Sequence, residues 1–325
     1  MKRLAVPFLI LSALISPLAG QGNSKPKDAK GIKLNRKAPP KDPELARYYI
    51  NRKSSPRAEK AAPVETTLPL QLKKGDRICF IGNLLLDAER RYGHLETLMH
   101  QLYPEHELSF RNLAWPADEI DLMPRPDNFG DLDQHLTFFK ADVIIAAFGY
   151  NESFAGEDGL PDFEKRLDAF LMDLKSKAYN GKSAPKVVLL SPTRCFNTLE
   201  VKAGDLNNLR ISAYFQVMKK AADKHKVGFV DLFGPVVPMS EQAGSNLASD
   251  GHQRTLAGHE KLAVKAAETL SGRSVEYQDG KGFSINEDLR RLVVDKAEQF
   301  FYRYRPLNTF YYTGGRNRSY GYLDF

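Results

Sequence analysis

Four ionisable side chains follow apolar runs closely enough to meet at the rim of a folded sheet: Asp87, His94, Asp118 and Glu152. Two carboxyls so placed are the minimum apparatus for glycoside hydrolysis, one donating a proton and the other acting as base or nucleophile. Each group also has a plainer reading, which is preferred. Asp87 suits the start of a helix, where its charge meets the positive end of the dipole. His94 falls about two turns further along, on a surface or packing face, and Glu152 can fix the loop that contains it. The seven histidines show no HxxxH or HxH spacing, and the two cysteines form no CxxC pair, so no metal site is signalled. The first apolar run ends in Gly82-Asn83-Leu84 with no glycine-rich phosphate motif after it. No cofactor is expected.

The elements that must position such groups are readable from the periodicity. Short apolar runs at Arg77–Ile81, Glu107–Leu113, Asp142–Phe148, Lys186–Leu190 and Val227–Val230 read as strands. Amphipathic stretches near Asp87–Leu102, Asp162–Lys177, Asn207–Lys226 and Leu256–Leu270 read as helices. Strands alternating with helices give a parallel sheet covered on both faces. The expected fold class is therefore α/β, a three-layer, doubly wound, five-stranded parallel sheet of flavodoxin-like order 2-1-3-4-5. Its site lies beyond the carboxyl ends of the strands.

The 325 residues suffice for one domain of about 200–250 residues plus appendages. Lys2 and Arg3 precede an apolar run from Leu4 to Leu18 that ends in Ala19-Gly20, the pattern of a signal peptide over residues 1–20. The run is short for a membrane span, and Gln21 stands where a lipoprotein needs Cys. Of the net charge of +7, the leader supplies two and residues 23–74 supply nine, which leaves the rest at −4. Residues 21–72 read as a basic Pro/Lys-rich linker, with a short helix around Pro43–Asn51, and the linker offers a contact to anionic envelope polymers. Residues 73–272 form the domain, and residues 273–325 a helical and aromatic extension docked on it. That docking disfavours nucleic acid as the partner of the Tyr- and Phe-rich tail. Cys79, inside Ile78-Cys79-Phe80-Ile81, is expected as a buried free thiol.

Four blocks, each after its own strand, resemble the SGNH (GDSL-type) esterase family. In Gly82-Asn83-Leu84, Asn83 stands where the family has its nucleophilic serine. An amide cannot replace that hydroxyl, because its nitrogen lone pair is delocalised, though it can donate and accept hydrogen bonds. In Arg111–Asp118, Ala114 and Ala117 stand at two family glycines, and the resemblance implies that the Ala114 N–H is an oxyanion donor. In Gly149-Tyr150-Asn151-Glu152, Asn151 matches the family's oxyanion-binding asparagine. In Asp250-Gly251-His252-Gln253, Asp250 takes the family's Asp position and Gln253 its His position, while His252 lies one residue early. Gly93–Thr97, 125–132, 148–159 and Arg303-Tyr304-Arg305-Pro306 resemble one branch of that family. The branch is found in planctomycete-type bacteria and commonly carries Asn at the serine position.

The resemblance implies an exported, periplasmic or secreted ester hydrolase acting on acyl or carbohydrate acetyl esters, here with nucleophile and base replaced. The competing expectation is a non-catalytic domain that holds a glycan or acyl ligand in the same crevice. A third is an interaction module using the linker and tail.

Overall fold

The computed structural model describes residues 53, 55–125, 129–234, 240–275 and 284–305. Five parallel strands form the sheet: β2 (Arg77–Gly82), β3 (Ser109–Asn112), β4 (Val143–Ala147), β6 (Lys186–Leu190) and β7 (Gly228–Val230). Their order is β3-β2-β4-β6-β7, the 2-1-3-4-5 winding expected. A separate two-residue ribbon pairs β1 (Glu59–Lys60) antiparallel with β5 (Lys177–Ala178).

The strands are apolar on both faces because helices cover both. Ile78, Phe80, Val143, Ile145 and Ala147 face one side, where α3 (His94–Leu102) and α8 (Leu256–Ser271) pack. Cys79, Ile81, Ile144 and Ala146 face the other, beneath α5 (Leu160–Lys175) and α6 (Gly204–His225). The alternation is the period of two of a strand. Each aliphatic side chain so buried contributes about 1.5–3 kcal/mol.

Three departures from the sequence reading have local causes. The first helix is broken into α1 (Leu84–Asp87), α2 (Glu89–Tyr92) and α3; Ala88 separates the first two, and Gly93, at φ +66° and with Val293 and Val294 where a Cβ would stand, separates α2 from α3. Two further helices lacked a long apolar period: α4 (Leu132–Phe139), closed by an Asp131/Gln134 capping box, and α7 (Glu241–Leu247), capped by Ser240. Finally, the C-terminal part of the supposed linker belongs to the domain. Leu70 is 2% exposed, and the Thr66 hydroxyl accepts the Val187 N–H at 3.0 Å.

The C-terminal helix, α9 (Glu287–Tyr304), packs against α2, α3 and β3. Signal peptide, short helix and aromatic tail lie outside the described residues. Among the described residues no helix is long and apolar enough to cross a membrane. Both cysteines are buried and free.

Candidate functional site at the carboxyl edge of the sheet

The chain turns out of β2 at Gly82, whose φ is +120° and where a Cβ would stand 2.0 Å from the Ala147 carbonyl oxygen. Only glycine fits so close to β4. Asn83 follows. Its N–H donates to the Ala147 carbonyl at 3.0 Å, and its side-chain oxygen accepts the Leu85 N–H at 3.4 Å as the cap of α1. Asn83 is only 4% exposed, so position 83 presents little surface to an ester in solution.

Next to it, Ala114 leaves β3. Its N–H donates to the Asn112 side-chain oxygen at 3.1 Å, while the Asn112 amide nitrogen donates to the Leu86 carbonyl at 2.6 Å. This Asx turn occupies the amide that the resemblance assigns to an oxyanion. The Asn151 side-chain nitrogen is likewise committed, donating to the carbonyls of Pro116 at 3.2 Å and Asp118 at 3.0 Å. Asn151 thus ties the loop after β4 to the loop after β3. Glu152 locks the same corner, accepting the N–H groups of Ile120 at 3.0 Å and Gly149 at 2.7 Å. Burial pushes its carboxyl up to about 7 against those two donors.

The fourth loop reaches the same edge through Phe196, whose N–H donates to the Gly251 carbonyl at 2.8 Å. Asp250 does not face an imidazole. Its Oδ1 accepts the N–H groups of His252 at 2.9 Å and Gln253 at 2.6 Å, closing the turn. The Gln253 carbonyl accepts from Ser249 at 2.9 Å. His252 lies flat on Tyr150, with 3.3 Å between centroids and parallel planes, and its Nδ1 is 4.0 Å from Cys195 Sγ. Burial holds this imidazole down at about 3 and pushes the Cys195 thiol up. The two therefore meet as neutral groups, not as a thiolate–imidazolium pair. Arg254 stacks over Phe196 at 4.3 Å and donates to the Arg194 carbonyl.

The structure therefore gathers Asn83, Ala114, Asn151 and the Asp250–Gln253 loop at one edge of the sheet. Asn112, Tyr150 and Cys195 complete the arrangement, and none was singled out from the sequence for a role at the site. Asn112 was legible, since an Asn two residues before a needed amide is an Asx-turn signal. The Tyr150–His252 stack joins distant segments and left no local trace.

The remaining ionisable candidates serve the fold. Asp118 is 2% exposed and holds Arg125 in a two-point pair at 2.7 and 2.6 Å. Asp87 ends α1 rather than starting a long helix, and is held by Arg305 at 3.1 Å. His94 is buried beside Tyr92 and His259, and burial lowers it to about 4. Among the described residues no group of three His, Cys, Asp or Glu side chains is arranged to hold a metal.

No protein-family model matches the chain, and no curated protein matches it in sequence. Several solved structures resemble it in fold. LAE5, an alpha/beta hydrolase enzyme from the metagenome of Lake Arreo, Spain, is 19% identical with a TM-score of 0.45, over 62% of this chain and 98% of that one. A variant of Axe2, an acetyl xylan esterase from Geobacillus stearothermophilus, is 16% identical with a TM-score of 0.48, over 64% and 100%. A candidate GDSL-like lipase from Parabacteroides merdae is 16% identical with a TM-score of 0.46, over 62% and 98%. Likeness at this level leaves the chemistry of the crevice to be argued from its own residues.

Proposed function

We propose that this chain is an exported SGNH (GDSL-type) hydrolase-like protein whose crevice holds a carbohydrate or acyl ester without hydrolysing it. The observation that carries the proposal is that each group ester hydrolysis calls for is replaced or already bonded within the protein. Acyl transfer to a hydroxyl needs a nucleophile, a base to take its proton and donors for the developing oxyanion. Position 83 is a buried amide. The Ala114 N–H and the Asn151 side chain donate to Asn112, Pro116 and Asp118. His252 packs on Tyr150, and Asp250 caps its own turn.

Binding is favoured by an exposed aromatic face at the same edge. Phe154 is 57% exposed and meets Tyr150 edge-on at 5.4 Å, with Tyr150 in turn against His252. Apolar sugar faces and acyl groups stack on such rings. Calorimetry with an acetylated xylo-oligosaccharide, with released acetate followed by NMR, tests the proposal. Saturable binding without acetate above the blank is expected, and Phe154→Ala should weaken it severalfold. Enzymatic acetate release, or no binding at all, would overturn it. Export over the first 20 residues is tested separately by the N-terminus of protein isolated from the native cell envelope, since an intact Met1 would contradict it.

A further inference from the structure

Apart from the crevice the protein has a cavity of about 300 Å³ that opens to solvent. Residues 120–125 and 129–132, α4, α5 and the last turn of α9 build it, and Asn83, Ala114, Asn151, Tyr150 and His252 do not line it. Arg125, residues 129–132 and Tyr304, from two stretches that stood out in the sequence, come together here. The Tyr304 ring lies 5.5 Å from Phe129 and 4.9 Å from the His135 imidazole.

We infer that this cavity is a ligand site for a small organic cation carrying one apolar ring. Three independent features point that way. The walls are Phe129, Phe170, Tyr304 and Leu174, enough apolar surface for a single ring. The rim carries the carboxylates of Asp121, Asp131, Asp133 and Asp173. Among the described residues Arg57 pairs with Asp131, Lys177 is shared by Asp133 and Asp173, and Arg166, which holds Asp121, also serves Glu119 and Asp162. The lining's own cation, Arg125, is taken by Asp118. Carboxylates thus outnumber cations at the rim, which disfavours anions there, while Arg125 is the charge felt most at His135 deeper in; aromatic faces add to the attraction for a cation at the rim.

The third feature is His135. It lines the cavity, is 5% exposed, and neither ring nitrogen makes a well-formed hydrogen bond, the Gly130 backbone giving a weak contact at most. A buried polar group left unpaired costs about 1–3 kcal/mol, and a ligand group would supply the missing partner. Burial and the nearby Arg125 charge lower this imidazole to about 4, more than Asp131 and the Gly130 backbone raise it, so it stays uncharged near neutral pH.

The chain's one tryptophan reports on the site. Trp115 stands edge-on to Phe129 at 5.9 Å and to Tyr304 at 6.4 Å. The experiment is a fluorescence titration with benzylamine and two analogues of the same size, neutral benzyl alcohol and anionic benzoate. Benzylamine should change Trp115 emission saturably, in the millimolar range or tighter for so small a ligand. Benzyl alcohol should bind about tenfold more weakly, and benzoate should give no saturable change. Asp173→Asn, at an exposed position, and His135→Phe, which keeps the ring, should each weaken benzylamine severalfold. Phe154→Ala, in the crevice, should leave it unchanged. Absence of saturation with benzylamine, equal binding of benzoate or benzyl alcohol, or a response lost in Phe154→Ala but kept in Asp173→Asn would overturn the assignment. The three-ligand comparison on the unaltered protein decides the matter even if His135→Phe fails to fold.

Discussion

The side-chain oxygen of Asn112 lies 3.1 Å from the Ala114 nitrogen, and that hydrogen bond commits the amide that the family resemblance assigns to an oxyanion. The same device recurs around the crevice. Asn83 Oδ1 accepts from Leu85, and Asp250 Oδ1 accepts from His252. In all three a short polar side chain bonds backbone two residues on. Such turns are stable because they satisfy the N–H groups that strand ends leave open. They also leave those side chains and amides with less to offer a substrate.

Asn112 should therefore be a stability residue. Asn112→Ala removes two hydrogen bonds in a half-buried corner, a loss of about 2–3 kcal/mol. The thermal midpoint should fall by roughly 5–10 °C, read by circular dichroism. Ester hydrolysis should remain absent, although the Ala114 N–H is released. A variant as stable as the parent would show that the turn is incidental.

Asn151 gives a sharper contrast. Its nitrogen faces two carbonyl oxygens. Asn151→Asp would set a carboxylate against both, and should destabilise the protein more than Asn151→Ala does. The removal itself costs about 1–3 kcal/mol. Urea midpoints of the two variants check the order. The reverse order would mean that the side chain does not make these contacts.

Much of the fold was legible because each strand is apolar on both faces and each helix amphipathic. The winding order followed, as did the sheet edge on which Asn83, Ala114, Asn151 and Asp250 gather. What escaped has physical causes. The helix read over Asp87–Leu102 spans Gly93, whose φ of +66° ends α2, and the Val293 and Val294 side chains that crowd this glycine lie two hundred residues on. Leu70 and Thr66 sit in a stretch whose composition reads as linker, yet they are buried against the domain. The orientation of His252 depends on Tyr150, and no spacing rule carries that information.

Stability should pass through a maximum between about pH 6 and 7. His94 and His135, lowered to about 4, and His259, lowered to about 3, are buried neutral. The unfolded chain takes up their protons below 6.5, so acidification through that value costs stability. Glu89 at about 8 and Glu152 at about 7 act oppositely, because the folded state keeps protons that the unfolded state has released above 4.5. With His252, also held at about 3, four imidazoles outweigh two carboxyls from 4.5 to 6.5 and stability rises with pH; from 6.5 to 8 only the carboxyls remain and it falls. Each net proton is worth about 1.4 kcal/mol per pH unit. Urea midpoints across this range check the shape. A steady rise to pH 8 would mean that the two glutamates are ionised in the folded state.

The central claim is that the crevice lacks a working nucleophile and base, and initial rates on a small aryl acetate test it most directly. The set is the wild type, Asn83→Ser, Gln253→His and the double variant. We expect no turnover above buffer for the wild type and little for either single change. The double variant should exceed both, because nucleophile and base act as a unit. Wild-type turnover at enzymatic rates that persists in Asn83→Ala would contradict the claim and place the chemistry elsewhere in the molecule.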